Sequence, residues 1–448
     1  MKIRELYLKN FRGFKEQQIK FSENFTVIAG INGNGKTAIL EALALLISRL
    51  LPQISPARLG YRYFQVSDIH GNEAATALEM NANCAGFPVR FSGSFERLVP
   101  YQAFPKLAPR LKDAIRNAYG LDKTRSTDAA PIAVYYTTDR AGFSLPRRLD
   151  GNVPIGQAAA YHRALVKKKV DYKDFMRWYR VVLKLNERPP GHPTAPQRMI
   201  ETIEFVLHEF LNQIDSIRVE DNPPRLLVNK GRQTLDLAQL SDGERSFLAM
   251  VIDLCKRLAR ANPGIKTLDG EGVVLIDELE LHLHPTWQRG SVDKLRRIFP
   301  KIQFIATTHS PFVIQSLRPG ELVNLEPGEF EIAQLAQHAK AALPEIAEVP
   351  MTAEVQPVEY SNQSVEDIAE GVMGVEMPQK SQRYQQMMKS AEEYFKLVRL
   401  PENQHGDIEN VKRRLDELSA PFSDDPAYQA LLRIEREINL EGGQNAPA

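Results

Sequence analysis

The first part of the chain alternates between short apolar strands and turns, and it predicts a buried α/β core. Apolar and charged residues alternate over residues 3–8, and further strands are predicted at residues 18–21 and 26–29. A glycine-rich turn follows the third strand. Residues 38–51 are apolar nearly all round and dense in strong helix formers, as expected of a helix packed on a sheet.

The middle of the chain predicts short strands and then a helical stretch. Strand-like segments occur at residues 77–80, 89–95 and 132–137, with Pro and Gly between them. Residues 156–214 are predominantly helical in pattern, but the segment ERPPGHPTAP at 187–196 cannot be helix, so two helical arms are expected. No sustained heptad repeat supports a long coiled coil.

Strand and helix alternate again from residue 236 to about residue 330, which predicts the second half of the same parallel sheet. Two buried strands are predicted in this region, at residues 273–276 and 303–307. Two further strand patterns precede it, at residues 216–220 and 225–229.

The C-terminal part predicts a linker followed by helices. Residues 341–363 are rich in Pro, Glu and Ala without periodicity. Beyond them, Ser364 and Asp367 form a capping-box pattern, and apolar residues recur at helical spacing. This apolar stripe fits either an internal helical bundle or a docking surface for a partner or a second protomer. Residues 441–448 predict a frayed tail.

The composition is that of an ordinary globular protein of 448 residues, with 43% hydrophobic and 25% charged residues. Lys plus Arg is 57 and Asp plus Glu is 56, so the net charge of +1 gives no global footprint for nucleic acid or an anionic membrane. Cys84 and Cys255 are too few for a disulfide framework or a thiolate metal site. We expect a cytoplasmic protein, because the chain shows neither a signal peptide nor an apolar run near the roughly 18 residues of a membrane span.

The sharpest chemical pattern is a P-loop, GINGNGKT at residues 30–37, placed after a predicted strand and before a predicted helix. Its glycines let backbone N–H groups surround a β-phosphate, and the helix N-terminus adds positive potential. Lys36 would reach the β- and γ-phosphate oxygens, and the Thr37 hydroxyl would ligate Mg²⁺. A turn that merely joins strand to helix is the alternative. The residues expected to contact ATP here are Gly30, Asn32, Gly33, Asn34, Gly35, Lys36, Thr37 and Ala38.

A P-loop needs a carboxylate at the end of a neighbouring buried strand to hold the magnesium, and VVLIDE at residues 273–278 supplies one. Asp277 would serve the metal through water. Glu278 would act as general base or orient the attacking water during hydrolysis. Taken alone, the pattern also fits a strand that ends in solvated acids.

A third pattern, LSDGE at residues 240–244, opens a predicted helix, and by itself it could be an ordinary capping box. In fixed order, however, the P-loop, LSDGE, the IDE strand and a later THS resemble the signatures of ABC-type ATPases. That resemblance implies a head-to-tail dimer in which Ser241, Gly243 and Glu244 of one protomer close over ATP held by the other. It also implies that His309 is the switch histidine that senses the γ-phosphate opposite Glu278.

The opening segment IRELYLKNFRGF resembles the SMC and RecF-like branch of that family, and this implies a place near the nucleotide for Arg12. Gln65 is the candidate for the glutamine that helps hold magnesium, with a plain surface residue as the alternative. Residues 279–285 stand at the dimer-interface D-loop, where His282 and His284 alternate without further metal ligands nearby. The long spacing between P-loop and signature disfavours a transporter, so no membrane partner is implied.

Segments such as VYYTTDRAGF, DYKDFMRWYR and QFIATTHSPFVI resemble bacterial AAA-type ATPases related to the ATPase subunit of Septu anti-phage defence. The resemblance implies an HNH-type nuclease partner encoded beside the chain, DNA contact through the complex, and self-association as a dimer or a larger assembly. The related OLD-type nucleases carry clustered metal-binding acids after the switch histidine. We find no such cluster and no Cys/His set for an HNH module, so we expect DNA cleavage by another polypeptide.

The expected fold class is α/β, a P-loop ABC-type ATPase head with a helical insertion and a C-terminal helical region. The predicted boundaries are 1–155 and 216–340 for the two parts of the ATPase domain, 156–215 for the insertion, 341–363 for the linker, 364–440 for the C-terminal helices and 441–448 for the tail.

The expected function is an ATP hydrolase with ATP and Mg²⁺ as cofactors, which regulates the nuclease according to ATP state. One alternative is a RecF-like repair ATPase that binds DNA through Lys167, Lys168 and Lys169, although such a tract is usually a solvated helix face. The other is a scaffold that binds ATP but scarcely turns it over. Neither the trigger, the nucleic-acid target nor the number of subunits follows from the sequence.

Overall fold

The chain divides into two compact units, Met1–Gly374 and Val375–Ala448. In the computed structural model, the described residues are 1–58, 60–98, 101–120, 129–141, 148–150, 156–166, 171–186, 195–210, 214–325, 352–353, 360–375, 378, 382–398 and 408–419. The predicted lysine tract at 167–169 and the predicted tail at 441–448 lie outside these residues.

The strands, in chain order, are β1 (Lys2–Phe11), β2 (Phe14–Lys20), β3 (Phe25–Ala29), β4 (Ala75–Cys84), β5 (Phe87–Glu96), β6 (Gln102–Ala103), β7 (Ile132–Tyr136), β8 (Ile214–Asp221), β9 (Pro224–Lys230), β10 (Gln233–Asp236), β11 (Gly272–Ile276), β12 (Ile302–Thr307), β13 (Leu322–Asn324) and β14 (Thr352–Ala353). The α-helices are α1 (Lys36–Ile54), α2 (Pro109–Ala118), α3 (Tyr172–Asn186), α4 (Ala195–Phe210), α5 (Asp242–Ala261), α6 (Pro285–Ile298), α7 (Pro311–Ile314), α8 (Val365–Gly371), α9 (Gln382–Val398) and α10 (Ile408–Ser419).

A five-stranded parallel sheet lies at the centre of the first unit, in the order β13-β3-β12-β11-β7. Every residue of β3, β7, β11 and β12 is buried. In register, Ile276 lies beside Tyr136 on one side and Ala306 on the other. The prediction that both halves of the chain build one parallel sheet is therefore confirmed, and the carboxyl ends of its strands meet at one edge.

Helix α1 contacts this sheet through β7, β11 and β12 and is buried over most of its length. By length and composition it could cross a membrane, but 78% of its apolar window is buried inside the protein. Its apolar surface is therefore accounted for by packing in the core.

A second, largely antiparallel sheet has the order β14-β2-β1-β4-β5-β6. The fully buried side chain of Gln303 on β12 joins it to the parallel sheet: its Nε2 donates to the carbonyls of Ile3 and Ser22, each at 2.7 Å, and its Oε1 accepts from the N–H of Ile3 at 2.6 Å. Strand β2 starts earlier than predicted. Strand β14 lies inside the predicted linker, whose other described residues are 360–363.

The helical insertion contains two helices, as predicted, but its bounds differ from the prediction. The first described part is a short 3-10 helix at Gln157–Tyr161 with turns after it, and α3 begins only at Tyr172. Helix α4 begins at Ala195, so Pro196 stands inside a helix where none was expected. Proline fits there because the first-turn N–H groups of a helix have no acceptor.

Buried charges tie the insertion to α5. Asp253 accepts from Lys256 at 2.9 Å, from Arg257 at 2.6 Å and from the hydroxyl of Tyr136 on β7 at 3.1 Å. Asp174 of α3 also bonds Lys256, at 2.9 Å. Buried carboxylates and cations require such partners, so this network specifies how the insertion packs on the core.

Helices α9 and α10 of the second unit pack against each other. Met387, Ala391 and Leu415 are buried between them, and Met388 and Leu418 pack around this group. Part of the C-terminal apolar stripe is therefore covered by packing between these two helices.

The predicted capping box of Ser364 with Asp367 starts α8 in the first unit, with the Asp367 N–H donating to the Ser364 hydroxyl at 3.0 Å.

Candidate nucleotide-binding site

The P-loop follows β3 and leads into α1, as predicted. Gly30, Gly33 and Gly35 have φ values of 144°, 94° and 83°, which favour glycine. A β-carbon on Gly35 would lie 2.6 Å from the ring of Phe14. The buried Lys36 Nζ donates to the carbonyls of Gly30 and Ile31, each at 2.7 Å, so the lysine lies across its own loop.

Thr37 and Asp277 meet at the carboxyl edge of the parallel sheet although they are 240 residues apart. The Thr37 hydroxyl lies 3.1 Å from each carboxylate oxygen of Asp277. Thr307, at the end of β12, donates its hydroxyl to the same carboxylate at 2.8 Å. Three oxygen-bearing side chains thus converge at the ends of β3, β11 and β12.

Glu278 directly follows Asp277 and has a left-handed backbone, with φ of 50°. Its N–H donates to the Thr307 hydroxyl at 2.8 Å, and its carbonyl accepts from the N–H of Leu281 at 2.9 Å. A non-glycine residue in this region costs free energy and persists only where the surroundings fix it. The backbone that carries the predicted general base is therefore held firmly.

The half-buried side chain of Glu280 connects the IDE segment to the predicted switch histidine. One carboxylate oxygen accepts from the Thr308 hydroxyl at 2.6 Å, and the other accepts from the backbone N–H of His309 at 2.5 Å. Ser310, the next residue, donates its hydroxyl to Gln288 at 2.5 Å and caps α7. His309 itself is half-buried beside this anchored backbone.

Arg12 forms ion pairs with Glu41, one turn into α1, and with Asp68, at 2.8 Å. Burial opposes the charge of Arg12, but the hydrogen bond to Asp68 and the charge of Glu41 raise its pKa above the ordinary value. Gln65 is exposed, and its side chain forms a local capping box with Asp68. Asp68 therefore connects Arg12 to the segment that carries Gln65, and the magnesium role of Gln65 stays a prediction.

Helix α5 begins with a capping box. Ser241 accepts from the N–H of Glu244 at 3.3 Å, while Glu244 accepts from the N–H of Ser241 at 3.0 Å and from Lys230 at 3.0 Å. Gly243 is buried against the D-loop, where an added β-carbon would lie 2.2 Å from the carbonyl oxygen of His282. The close approach of the D-loop backbone within one protomer is thus enough to require glycine at position 243. Contact with a second protomer's nucleotide stays a prediction.

The two D-loop histidines do not form part of a metal cluster in the described part of the chain, where no group of three or more potential His, Cys, Asp or Glu ligands occurs. His284 instead caps α6, with its ring nitrogen 3.3 Å from the N–H of Thr286.

Two protein-family models match the chain. Residues 162–315 match a model described as AAA domain, putative AbiEii toxin, Type IV TA system, and residues 1–84 match the AAA ATPase domain. The P-loop and the strand-end carboxylates agree with these matches. The chain is an ATPase whose sequence matches AAA ATPase domains and resembles Septu protein PtuA.

Two relatives are similar to this chain over most of their length. Septu protein PtuA from Bacillus thuringiensis is 25% identical over 84% of each chain. Retron Ec83 probable ATPase from Escherichia coli is 25% identical over 73% of this chain and 72% of the relative. Among solved structures, the SMC head bound to the C-winged helix domain of ScpA gives a TM-score of 0.45 at 15% identity, over 72% of this chain and 93% of that chain.

Sequence reasoning missed three residues of the ATPase site: Arg140, Thr307 and Glu280. Each contacts a predicted residue or its backbone. Thr307 and Glu280 stand within two residues of His309 and Glu278, so proximity to the motifs was an available signal. Arg140 lies in the segment VYYTTDRAGF, which carries part of the family resemblance, but its bonds to Asp277 and Glu278 had no local signal, because they join residues 137 and 138 positions apart.

Proposed function

We propose that this ATPase binds ATP with Mg²⁺ at the P-loop and uses its nucleotide state to control a separate HNH-type nuclease in anti-phage defence. The observation that carries the ATP part is the convergence of Thr37 and Asp277, with the hydroxyl 3.1 Å from both carboxylate oxygens. Magnesium prefers such oxygen ligands, and in P-loop proteins the loop threonine and a strand-end aspartate hold it. The residues present therefore fit the metal.

The P-loop residues would bind the phosphates of ATP. Lys36 is within reach of its loop carbonyls, and phosphate oxygens would replace these as its partners. The backbone N–H groups around Gly33 and Gly35, together with the start of α1, would stabilise the negative charge. Magnesium, when bound, would neutralise developing charge between the β- and γ-phosphates.

Glu278 would orient or deprotonate the attacking water, and His309 would sense the γ-phosphate. The contacts of Glu280 support these two roles, since they hold the backbone of His309 close to the segment that carries Glu278. Ser241, Gly243 and Glu244 would complete the site from a second, head-to-tail protomer. Closure of the dimer would then depend on the γ-phosphate, which makes nucleotide state a switch.

The defence role is supported by the likeness to Septu protein PtuA over 84% of both chains. We place the protein in the cytoplasm, with an HNH-type nuclease as its partner and DNA contacted through the complex. Hydrolysis or loss of ATP would open the dimer and change the activity of the bound nuclease.

The test is purification of the chain with and without the product of the neighbouring gene, which under this proposal is an HNH-type nuclease. Mass in solution and DNA degradation would be measured with and without ATP and magnesium, for the wild type and for Lys36→Ala. Lys301→Ala is the matched control, because Lys301 is exposed and its nearest acid, Asp269, is 3.8 Å away. We expect a stable complex whose nuclease activity changes with ATP in the wild type and the control, but not in Lys36→Ala.

Other results would overturn parts of the proposal. Unchanged nucleotide binding and partner activity in Lys36→Ala would refute it. A solitary chain that hydrolyses ATP and binds DNA, with affinity falling steeply as salt rises, would favour the RecF-like function. Equal, negligible turnover in the wild type and in Glu278→Gln would favour a scaffold that binds ATP without using it.

A further inference from the structure

Arg140 lies immediately beyond β7 and is buried, with 4% of its surface exposed. Its guanidinium donates to three backbone carbonyls, those of Thr137 at 3.2 Å, Asp277 at 2.5 Å and Glu278 at 2.5 Å. Two different guanidinium nitrogens bond the carbonyls of Asp277 and Glu278. The planar fork of the arginine is therefore matched to two successive peptide groups.

The same two residues are held from the other side of β11 by β12. Thr307 bonds the carboxylate of Asp277 and the N–H of Glu278, and its own carbonyl accepts from the N–H of Leu279 at 2.9 Å. Arg140 and Thr307 thus fix the IDE segment from the strands on its two flanks. Between them, Glu278 keeps its left-handed backbone.

Charge also favours this place for an arginine. The nearby carboxylates of Glu280, Asp277 and Glu278 favour a positive charge on its guanidinium. Lysine could supply the charge, but its single ammonium nitrogen lacks the planar fork that presents a separate nitrogen to each of these two carbonyls.

We propose that Arg140 is a positioning residue for ATP hydrolysis, which aims the side chains of Asp277 and Glu278 by fixing the peptide groups that carry them. The proposal rests on the proposed ATPase site. It assigns no contact between Arg140 and ATP, since all its bonds described above go to backbone carbonyls. Loss of the fork should therefore impair turnover and leave nucleotide affinity largely intact.

The test compares Arg140→Met and Arg140→Lys with Arg296→Met. Arg296 is a suitable control because its side chain is only 9% exposed and bonds Glu321 at 2.6 Å. Glu321 precedes β13, so this pair lies at the amino end of the parallel strands, opposite the P-loop. Turnover, the Kd of a fluorescent ATP analogue, the magnesium dependence of turnover and thermal unfolding would be measured for the full-length chain.

We expect kcat to fall roughly 100-fold in Arg140→Met, the loss typical of a displacement of about 1 Å at a catalytic group. Arg140→Lys should recover part of that loss, while the Kd of the analogue stays within about threefold of the wild type in both. Arg296→Met should unfold at a lower temperature but keep the kcat of the folded protein. If Arg140→Met does not fold, Arg140→Lys decides the question.

Two outcomes separate this proposal from the one on which it rests. A wild-type chain without magnesium-dependent turnover would defeat the proposed function itself. If the wild type turns over ATP and both Arg140→Lys and Arg140→Met have the same kcat as the wild type, only the role of Arg140 is defeated. Equal losses of kcat in Arg140→Met and Arg296→Met would show that Arg140 acts through general stability, and would also overturn the proposal.

Discussion

Replacing Gly243 by alanine tests whether the start of α5 and the D-loop act as one packed unit. The added β-carbon would lie 2.2 Å from the carbonyl oxygen of His282, 3.0 Å from its carbonyl carbon and 3.5 Å from the Cα of Leu283. All three atoms belong to the backbone, so no flexible side chain can turn away. Either the helix or the D-loop must move.

The size of the effect follows from the geometry. Ordinary contact with a β-carbon begins near 3.4 Å, so the two backbones must separate by about 1 Å. Overpacking of this kind costs about 1–3 kcal/mol, which outweighs the gain of at most about 1 kcal/mol in helix propensity from Gly to Ala. If the signature closes over ATP as proposed, a shift of about 1 Å should reduce kcat roughly 100-fold.

Gly290→Ala is the matched control, because Gly290 also lies in a helix, and its added β-carbon would meet only the Cε of Lys294, at 3.8 Å. Thermal unfolding, ATP turnover and ATP affinity would be measured for both variants. We expect Gly243→Ala to lose stability and turnover while ATP affinity, which depends on the P-loop, is retained. Gly290→Ala should be at least as stable as the wild type. A Gly243→Ala protein as stable and as active as Gly290→Ala would refute the reasoning.

Three further outcomes are expected, two from the buried charge network of Asp253 and one from the proposed magnesium ligand Asp277. Asp253→Asn removes the carboxylate partner of Arg257 and leaves Lys256 with Asp174 alone, and it should lower the free energy of unfolding by about 3–5 kcal/mol in urea titrations; a loss below about 1 kcal/mol would contradict this. Although burial opposes it, Arg257 and Lys256 hold the pKa of Asp253 well below its ordinary value, so its stabilisation should be complete above about pH 4 and be lost as pH falls further. Melting temperatures of the wild type should therefore drop more steeply below pH 4 than those of Asp253→Asn. Asp277→Asn should raise the magnesium concentration needed for turnover at least about tenfold, and an unchanged requirement in a magnesium titration would count against the metal site.

The P-loop and the strands around it could be predicted because their signals are local. The pattern at residues 30–37 is contiguous, and its flanks differ clearly in period and composition. The buried strand before Asp277 was predictable for the same reason, since four apolar residues are followed by two acids. Element ends were less certain, as β2 shows, because strand length depends on the pairing partner as well as on the strand's own pattern.

The contacts of Arg140 and Glu280 could not be predicted, because they depend on which strands and helices become neighbours. Asp253 has Lys256 and Arg257 at helical spacing on its own helix, but its bond to Tyr136 depends on the packing of that helix against β7. The role of His284 also depends on its neighbours. Its alternation with His282 lacks the further ligands of a metal site, and its ring accepts from the backbone of the next helix.

The order of the strands explains how motifs so distant in sequence build one site. Thr307 ends β12, and Thr37, Asp277 and Arg140 lie beyond the carboxyl ends of β3, β11 and β7. The four strands are neighbours in the order β3-β12-β11-β7. Parallel strands lie about 4.8 Å apart, so their ends place these side chains side by side whatever the length of chain between them. A slip of one residue in β7 would instead turn alternate side chains to the opposite face. The pairing of Tyr136 with Ile276 therefore constrains the geometry of this site more than the number of residues between its motifs does. A long helical insertion between β7 and β11 can be accommodated without changing the positions of the site residues at the carboxyl edge of the sheet.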